Sequence, residues 1–330
     1  MENLWKVLYN EVTNQKERYG LMQHYPISTS IHLYFDPTFR ISVGEQIRRI
    51  THCGFRHLDF NFLDWHASAE SPFVGENWKA LIEEAGLAAE AEGADFNQAH
   101  APVFDGLWFT GDYDFRRQIQ IRAIEACSML GIPWMVFHEM VMPDCHTMED
   151  NIEYYKGLLP YCHKYNVGMA IENQWPIYTD RIGARTDRLV ELVDTLNDPL
   201  VGICCDTGHG NLIGMSHYAW RPDRNTELAA CADQYVQLKK IGSRLKAMHI
   251  DDNNGMDDDH IAPFEGTVNW RDVMRALRDI GYEHSFTYEA HNAIRKYPEH
   301  LKDEKARLLY RIAETLVSWD GEGNFEPPLN

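Results

Sequence analysis

Residues 245–270 read LKAMHIDDNNGMDDDHIAPFEGTVNW. The stretch opens on a short apolar run, Leu245 to Ile250, of the length and character of a buried strand. His249 stands at its exit. The loop beyond carries Asp251, Asp252, Asp257, Asp258, Asp259 and His260. Asp, Asn and Gly favour turns, so a loop is expected here, but a turn alone needs far fewer acids. A helix signal resumes at Asn269, with Trp270, Val273, Met274 and Leu277 on one side. The unit is therefore a buried strand, a titratable exit and an amphipathic helix.

The same unit recurs along the chain. Ile27 to Phe35 reads as the first strand, stopped at Asp36-Pro37 because proline cannot donate to a sheet ladder. Ser42 caps a helix that runs through Cys53 and ends at Gly54. Arg56 to Phe60 is the second strand, followed by a polar loop and a helix over Asn77 to Glu92. Ala94 to Ala99 exits into His100, and a helix follows over Asp112 to Leu130. Pro133 to Phe137 exits into His138, before a helix over Thr147 to Tyr165. Gly168 to Ile171 exits into Glu172, before a helix over Arg185 to Leu196. Val201 to Cys205 exits into Asp206 and His209, with a helical segment near Glu227 to Ile241. His284 to Tyr288 exits into Glu289, and Pro298 to Trp319 is the last helix.

Eight strand–helix units argue for α/β architecture with a parallel sheet closed into a (β/α)8 TIM barrel. No GxGxxG follows the first strand, which argues against a dinucleotide-binding sheet. The expected organisation is an N-terminal extension over 1–26, a single barrel domain over 27–319 and a surface tail over 320–330. A length of 330 residues, 44% of them hydrophobic, suits one large barrel core.

The net charge of -19 disfavours nucleic acid as a partner. It also gives no reason to expect an anionic membrane. The seven cysteines are odd in number and form no CxxC, as in a reducing compartment. The N-terminus lacks an apolar run of signal-peptide length, and no stretch is long enough to span a bilayer. A soluble cytoplasmic protein is expected.

In a barrel, all strand exits lie on one pole, where the chemistry of this fold sits. That pole would gather His100, His138, Glu172, Asp206, His209, His249, Asp258, His260 and Glu289. Singly, each has a plainer reading as a hydrogen-bonded or paired structural residue. Together, buried acids and imidazoles would repel or desolvate one another unless a cation compensates them. The strongest metal ligands are Glu172, Asp206, His249 and Glu289. This hard, oxygen-rich set favours Mn²⁺, with Mg²⁺, Co²⁺ or Zn²⁺ as alternatives. Two glutamates beside a metal-held carbonyl suggest proton abstraction through an enediolate, one removing a proton and the other returning one. His138 is a candidate additional base. His100, His209, His260, Trp108 and Trp175 are candidates to contact substrate.

Several motifs carry a resemblance: HAP at 100–102, His138, IEN at 171–173, CDTGH at 205–209, HIDDN at 249–253, DDH at 258–260, PFEG at 263–266 and YE at 288–289. In this order the chain resembles the sugar isomerase/epimerase superfamily with the xylose isomerase-like barrel, over roughly residues 27–318. The resemblance implies one divalent metal, often manganese, on Glu172, Asp206, His249 and Glu289. It also implies that Glu172 and Glu289 are the acid–base pair and that His209 contacts a small carbohydrate. The ketose 3-epimerases' substrate-binding arginine has no match between His249 and His260, so the sugar stays open.

A carbon–carbon lyase is the alternative. The resemblance extends to C-glycoside deglycosidases, which eliminate an aglycone from a 3-oxo-glycoside and use a small β-rich partner subunit. Trp65, Trp108, Trp175 and Trp220 would then be candidates to hold a flat aglycone. An oligomer is expected in either case. A third reading is an endonuclease IV-type phosphodiester hydrolase, with His100, His138, His209, Asp258 and His260 as extra ligands; the charge argues against it.

Overall fold

The computed structural model describes residues 25–63, 65, 71–103, 113–141, 146–175, 182–212, 233–319, 321 and 325. Eight parallel strands form one sheet: β1 (Ile27–Ser30), β2 (His57–Asn61), β3 (Asp95–His100), β4 (Trp134–Phe137), β5 (Gly168–Glu172), β6 (Val201–Asp206), β7 (Leu245–His249) and β8 (Phe286–Tyr288). Their order is β7-β6-β5-β4-β3-β2-β1-β8. A parallel bridge between Ile250 and Tyr288 brings the two ends together. Ile250 N–H donates to Thr287 O at 2.8 Å and Glu289 N–H to Ile250 O at 3.2 Å, so the sheet is nearly a closed barrel.

The helices wrap the outside: α1 (Val43–His52), α2 (Trp78–Ala91), α3 (Tyr113–Met129), α4 (Met148–Tyr165), α5 (Thr186–Leu196), α6 (Thr207–Leu212), α7 (Gln234–Ile241), α8 (Trp270–Ile280), α9 (Asn292–Arg295) and α10 (Glu299–Val317). Local chemistry sets their ends. Ser42 Oγ accepts from Glu45 N–H at the start of α1. Thr147 and Asp150 form a reciprocal capping box at α4. Asn166 and Asn197 end α4 and α5 in the left-handed conformation, which asparagine tolerates.

Apolar side chains divide between two places. The large core lies between sheet and helices, with Phe55, Phe60, Ile82, Leu158, Leu189, Leu277 and Phe286 fully buried. A separate small cluster of Val136, Ala170, Cys204 and Ala247 comes from β4 to β7. Side chains alternate along a strand, so the next residues on the same face are His138, Glu172, Asp206 and His249. Small side chains thus fill the barrel below, and polar ones stand directly above them.

Two differences from the sequence reading stand out. The first strand ends at Ser30, not Phe35, because Ile31–Tyr34 turns into a 3₁₀ helix capped by Ser30 Oγ, which accepts from His32 N–H. The apolar run from Ile31 is buried all the same, so burial alone does not separate the two conformations. Thr207–Leu212 is a helix directly after β6, where no helix was expected before the segment near Glu227. The N-terminal extension up to residue 24, Trp108, Trp220 and the start of the Glu227 segment lie outside the described residues. No helix among the described residues is long and apolar enough to cross a membrane.

Candidate metal centre

The inward-facing positions at the barrel's C-terminal pole are polar on nearly every strand. Asn61 from β2, His100 from β3, Glu172 from β5, Asp206 from β6, His249 from β7 and Glu289 after β8 are all buried. His138, one residue beyond β4, is half-buried. Strand register fixes the neighbours: Asp206 pairs with His249, and Asn61 with His100.

Glu172, Asp206, His249 and Glu289 present one ligand atom each within 4.8 Å of one another. His249 Nδ1 is the hub, 2.8 Å from Glu172 Oε1, 3.0 Å from Glu289 Oε2 and 3.9 Å from Asp206 Oδ2. Burial disfavours charge on Glu172, but His249 and His138 outweigh it and hold the carboxyl well below its ordinary range. Glu289 is likewise held low, with His249 outweighing burial. Burial and the facing carboxylate of Asp251 push Asp206 well above its ordinary range. Burial opposes charge on His249, yet Cys204, Glu289 and Glu172 raise it strongly. Glu172 Oε2 and Asp206 Oδ2 are buried without a hydrogen-bond partner. Unpaired buried carboxylate oxygens are costly, and three carboxylates around one imidazole suit a hard divalent cation. The residues fit such an ion.

Two further groups flank this quartet. His100, His138 and Glu172 converge on one side: His138 Nε2 is 3.0 Å and His100 Nε2 3.6 Å from Glu172 Oε2. His209, Asp258 and His260 converge on the other. There Asp258 Oδ2 lies 3.0 Å from His260 Nε2 and 3.6 Å from His209 Nε2. Burial opposes charge on His209, but Asp206 and Asp258 raise it to about 10.

Main-chain carbonyls set the proton positions on three of these rings. His100 Nδ1 faces Ala101 O at 2.7 Å, His209 Nδ1 faces Asn173 O at 2.8 Å, and His260 Nδ1 faces Glu289 O at 3.1 Å. A carbonyl only accepts, so each Nδ1 carries the hydrogen. His209 Nε2 and His260 Nε2 are then left to face Asp258, an arrangement that requires a proton or a cation between them, while His100 Nε2 faces His138 Nε2 at 3.3 Å.

The CDTGH and HIDDN motifs interlock. Thr207 Oγ1 donates to Asp251 O at 2.7 Å and accepts from Asp251 N–H at 3.0 Å. A methyl group on Gly208 would overlap Asp251 Oδ1, so this glycine opens the space for the carboxylate. Asp252 organises the next loop, accepting from Asn253, Phe264 and Val268 N–H and from Trp270 Nε1 at 2.9–3.0 Å. That loop carries Asp258 and His260.

Of the expected substrate contacts, His100, His209 and His260 stand around the quartet. Trp175 is half-buried, its ring 4.6 Å from that of His209. Trp65 is 2% exposed and packs on Phe35, Phe39 and Phe60 as part of the aromatic core. The sequence reading named Asp251 only among the loop acids and Asn173 only within the IEN motif, and gave neither these nor Asn61 a place in the site. Asn61 Nδ2 donates to Glu289 Oε1 at 3.2 Å, and Asn173 Nδ2 to Asp206 O at 2.9 Å. The period of two along β2, and adjacency to Glu172, were the available signals.

Residues 47–312 match the family described as xylose isomerase-like TIM barrel. An uncharacterised protein of Methanocaldococcus jannaschii is 26% identical over 176 residues, 52% of this chain and 55% of that protein. The chain thus spans about half the length of that curated relative. Among solved structures, a D-tagatose 3-epimerase-like protein superposes with a TM-score of 0.64 at 18% identity, covering 88% of this chain and 98% of that one. A 3-keto-D-glucoside 4-epimerase from E. coli superposes with a TM-score of 0.60 at 17% identity, covering 87% and 100%. At these identities the likeness is one of fold.

Proposed function

The chain belongs to the xylose isomerase-like TIM barrel family, and from that premise we propose that it is a divalent-metal-dependent isomerase or epimerase of a keto-sugar or related polyol. The observation that carries this reading is the placement of Glu172 and Glu289, each with one oxygen within 3.0 Å of His249 Nδ1. When bound, a divalent cation would polarise a sugar carbonyl and its neighbouring hydroxyl and acidify the C–H between them. Glu172, Asp206, His249 and Glu289 would hold it, with Mn²⁺ favoured by their hard donors. One glutamate removes the proton and the other returns one, while His138, beside Glu172 Oε2, is placed to relay it. His100, His209, His260 and Trp175 orient the sugar. The activities named for the two fold neighbours are in keeping with this chemistry.

The test is hydrogen exchange in D₂O by manganese-loaded protein over free ketoses, inosose-like polyols and 3-oxo-glycosides. Deuterium in an intact or epimerised sugar is the expected result. Release of an aglycone instead would move the protein to the lyase class and call for a β-rich partner subunit. Full exchange by Glu172→Gln or Glu289→Gln would overturn the mechanism.

One observation favours a second reading. The His100–His138–Glu172 and His209–Asp258–His260 groups could each hold an ion beside the quartet, as a multi-metal phosphodiester hydrolase of the endonuclease IV type would need. The charge of -19 disfavours a DNA partner. Metal content of the purified protein separates the readings: one equivalent per chain supports the isomerase, and two or three the hydrolase.

A further inference from the structure

We propose that Asp251 is a positioning residue that holds the ring of His260, and through it Asp258 and His209, in the orientation the site uses. This rests on reading the pole as a carbohydrate-binding metal centre. Asp251 is fully buried, and no step of the proposed reaction uses it. It follows His249 by two residues, so it points to the same face of β7, one level higher.

Three features show that its carboxylate is held in place by its surroundings. Thr207 latches both main-chain polar groups of Asp251. Gly208 supplies the space beside Oδ1 that any larger residue would fill. Oδ2 lies 3.0 Å from His260 Nδ1. Both oxygens of Asp251 are buried without a hydrogen bond of good geometry, and His260 Nδ1 approaches Oδ2 as a charge contact at 3.0 Å. A buried carboxylate without other partners is tolerable only beside a donor it can face, and His260 is that donor.

The consequence runs outward through alternating imidazoles and carboxylates. With its Nδ1 hydrogen on the Glu289 carbonyl and Asp251 Oδ2 beside it at 3.0 Å, His260 presents Nε2 to Asp258 Oδ2 at 3.0 Å. The same Asp258 oxygen faces His209 Nε2 at 3.6 Å, and His209 packs against Trp175. A carboxylate behind an imidazole fixes its tautomer and ring orientation, which is how outer residues support a site they do not touch. The rival holder of His260 is the Glu289 carbonyl alone, at 3.1 Å.

The experiment reads the imidazole nitrogens of His260 in full-length protein labelled with ¹⁵N-histidine, assigned with His260→Gln. Asp251→Leu removes the acceptor without leaving a buried charge, and Asp251→Asn keeps an acceptor of the same size. Gly208→Ala displaces the carboxylate without deleting it. The wild type is expected to show hydrogen held on Nδ1, with a proton or cation on Nε2 toward Asp258. Asp251→Leu and Gly208→Ala are expected to show mixed tautomers, and Asp251→Asn to retain the wild-type signature. In the exchange assay Asp251→Leu should lower kcat/KM about 10-fold or more, the scale of outer-residue effects on metal sites. An unchanged His260 signature in folded Asp251→Leu would overturn the proposal and leave the Glu289 carbonyl as the holder. The signature needs no substrate. A changed signature in protein that exchanges no sugar would therefore count against the reaction and not against Asp251.

Discussion

Asn61 donates from Nδ2 to Oε1 of Glu289 across 3.2 Å. The amide has only one orientation, because Asn61 Oδ1 accepts from Leu63 N–H at 2.8 Å. Glu289 is therefore split between its two oxygens, one tied to β2 and the other turned to His249 at 3.0 Å. Removing this tie should matter without removing any ligand. Asn61→Leu is expected to lower kcat about 10-fold to 100-fold with the fold retained. Asn61→Asp should do worse, since it sets a second carboxylate against Glu289. Steady-state kinetics beside circular dichroism check this; wild-type kcat in Asn61→Leu would show that Glu289 needs no such support.

Chelation should destabilise the protein as well as silence it. Without a cation, Glu172, Asp206 and Glu289 keep buried carboxylates within 4.8 Å of one another, and two of their oxygens lack partners. A cation that binds only the folded chain stabilises it by about 2.7 kcal/mol at a hundredfold excess over Kd. Thermal unfolding with EDTA and then with added Mn²⁺ should show a fall and a recovery of Tm. The quadruple variant Glu172→Gln, Asp206→Asn, His249→Gln, Glu289→Gln should show neither change.

Gly266 is expected to tolerate no side chain. A methyl group there would overlap Asn253 O and Asp252 Oδ1, the centre of the loop that carries Asp258 and His260. Gly266→Ala should cost about 1–3 kcal/mol, the usual range for forced overpacking. Denaturant titration gives the cost, and the same variant should lose exchange activity because the loop shifts. The exposed Gly75, where an added Cβ meets nothing closer than Pro72 O at 3.8 Å, is the matched control for loss of a loop glycine.

Asp36 supplies a pH signature far from the metal ligands. Its carboxylate accepts from Thr38 Oγ1 at 2.6 Å and from Thr38, Arg40 and Ile41 N–H at 2.9–3.1 Å. The Thr38 side chain leads in pulling its pKa from 3.8 to about 2, with the backbone donors adding to it. A depressed carboxylate contributes stability that is present above its unfolded value and lost as pH falls through its folded value. The Tm gap between wild type and Asp36→Ala should therefore be constant above about pH 4.5 and narrow toward pH 2. A gap that widens on acidification would contradict the assignment.

The alternation of apolar runs with amphipathic segments was enough to read eight parallel units, because strand and helix periods are local properties of a chain. Strand exits could be named to within a residue or so for the same reason: His100, Glu172, Asp206 and His249 prove to be the last residues of β3, β5, β6 and β7. That they share one pole follows once a barrel is granted. What the sequence could not carry was which side chains hold the others. Asn61 and Glu289 lie 228 residues apart, and Thr207 and Asp251 lie 44 apart. Such pairings exist only after closure sets β2 near β8 and β6 beside β7. The fate of Trp65 was decided in the same way. Its place after a strand suggested a ligand surface; the turn at Ile31–Tyr34 brings Phe35 and Phe39 over it and packs it in the aromatic core. Periodicity, a property of neighbouring residues, determined the architecture; burial and hydrogen-bond partners, properties of distant residues brought together, decided the site.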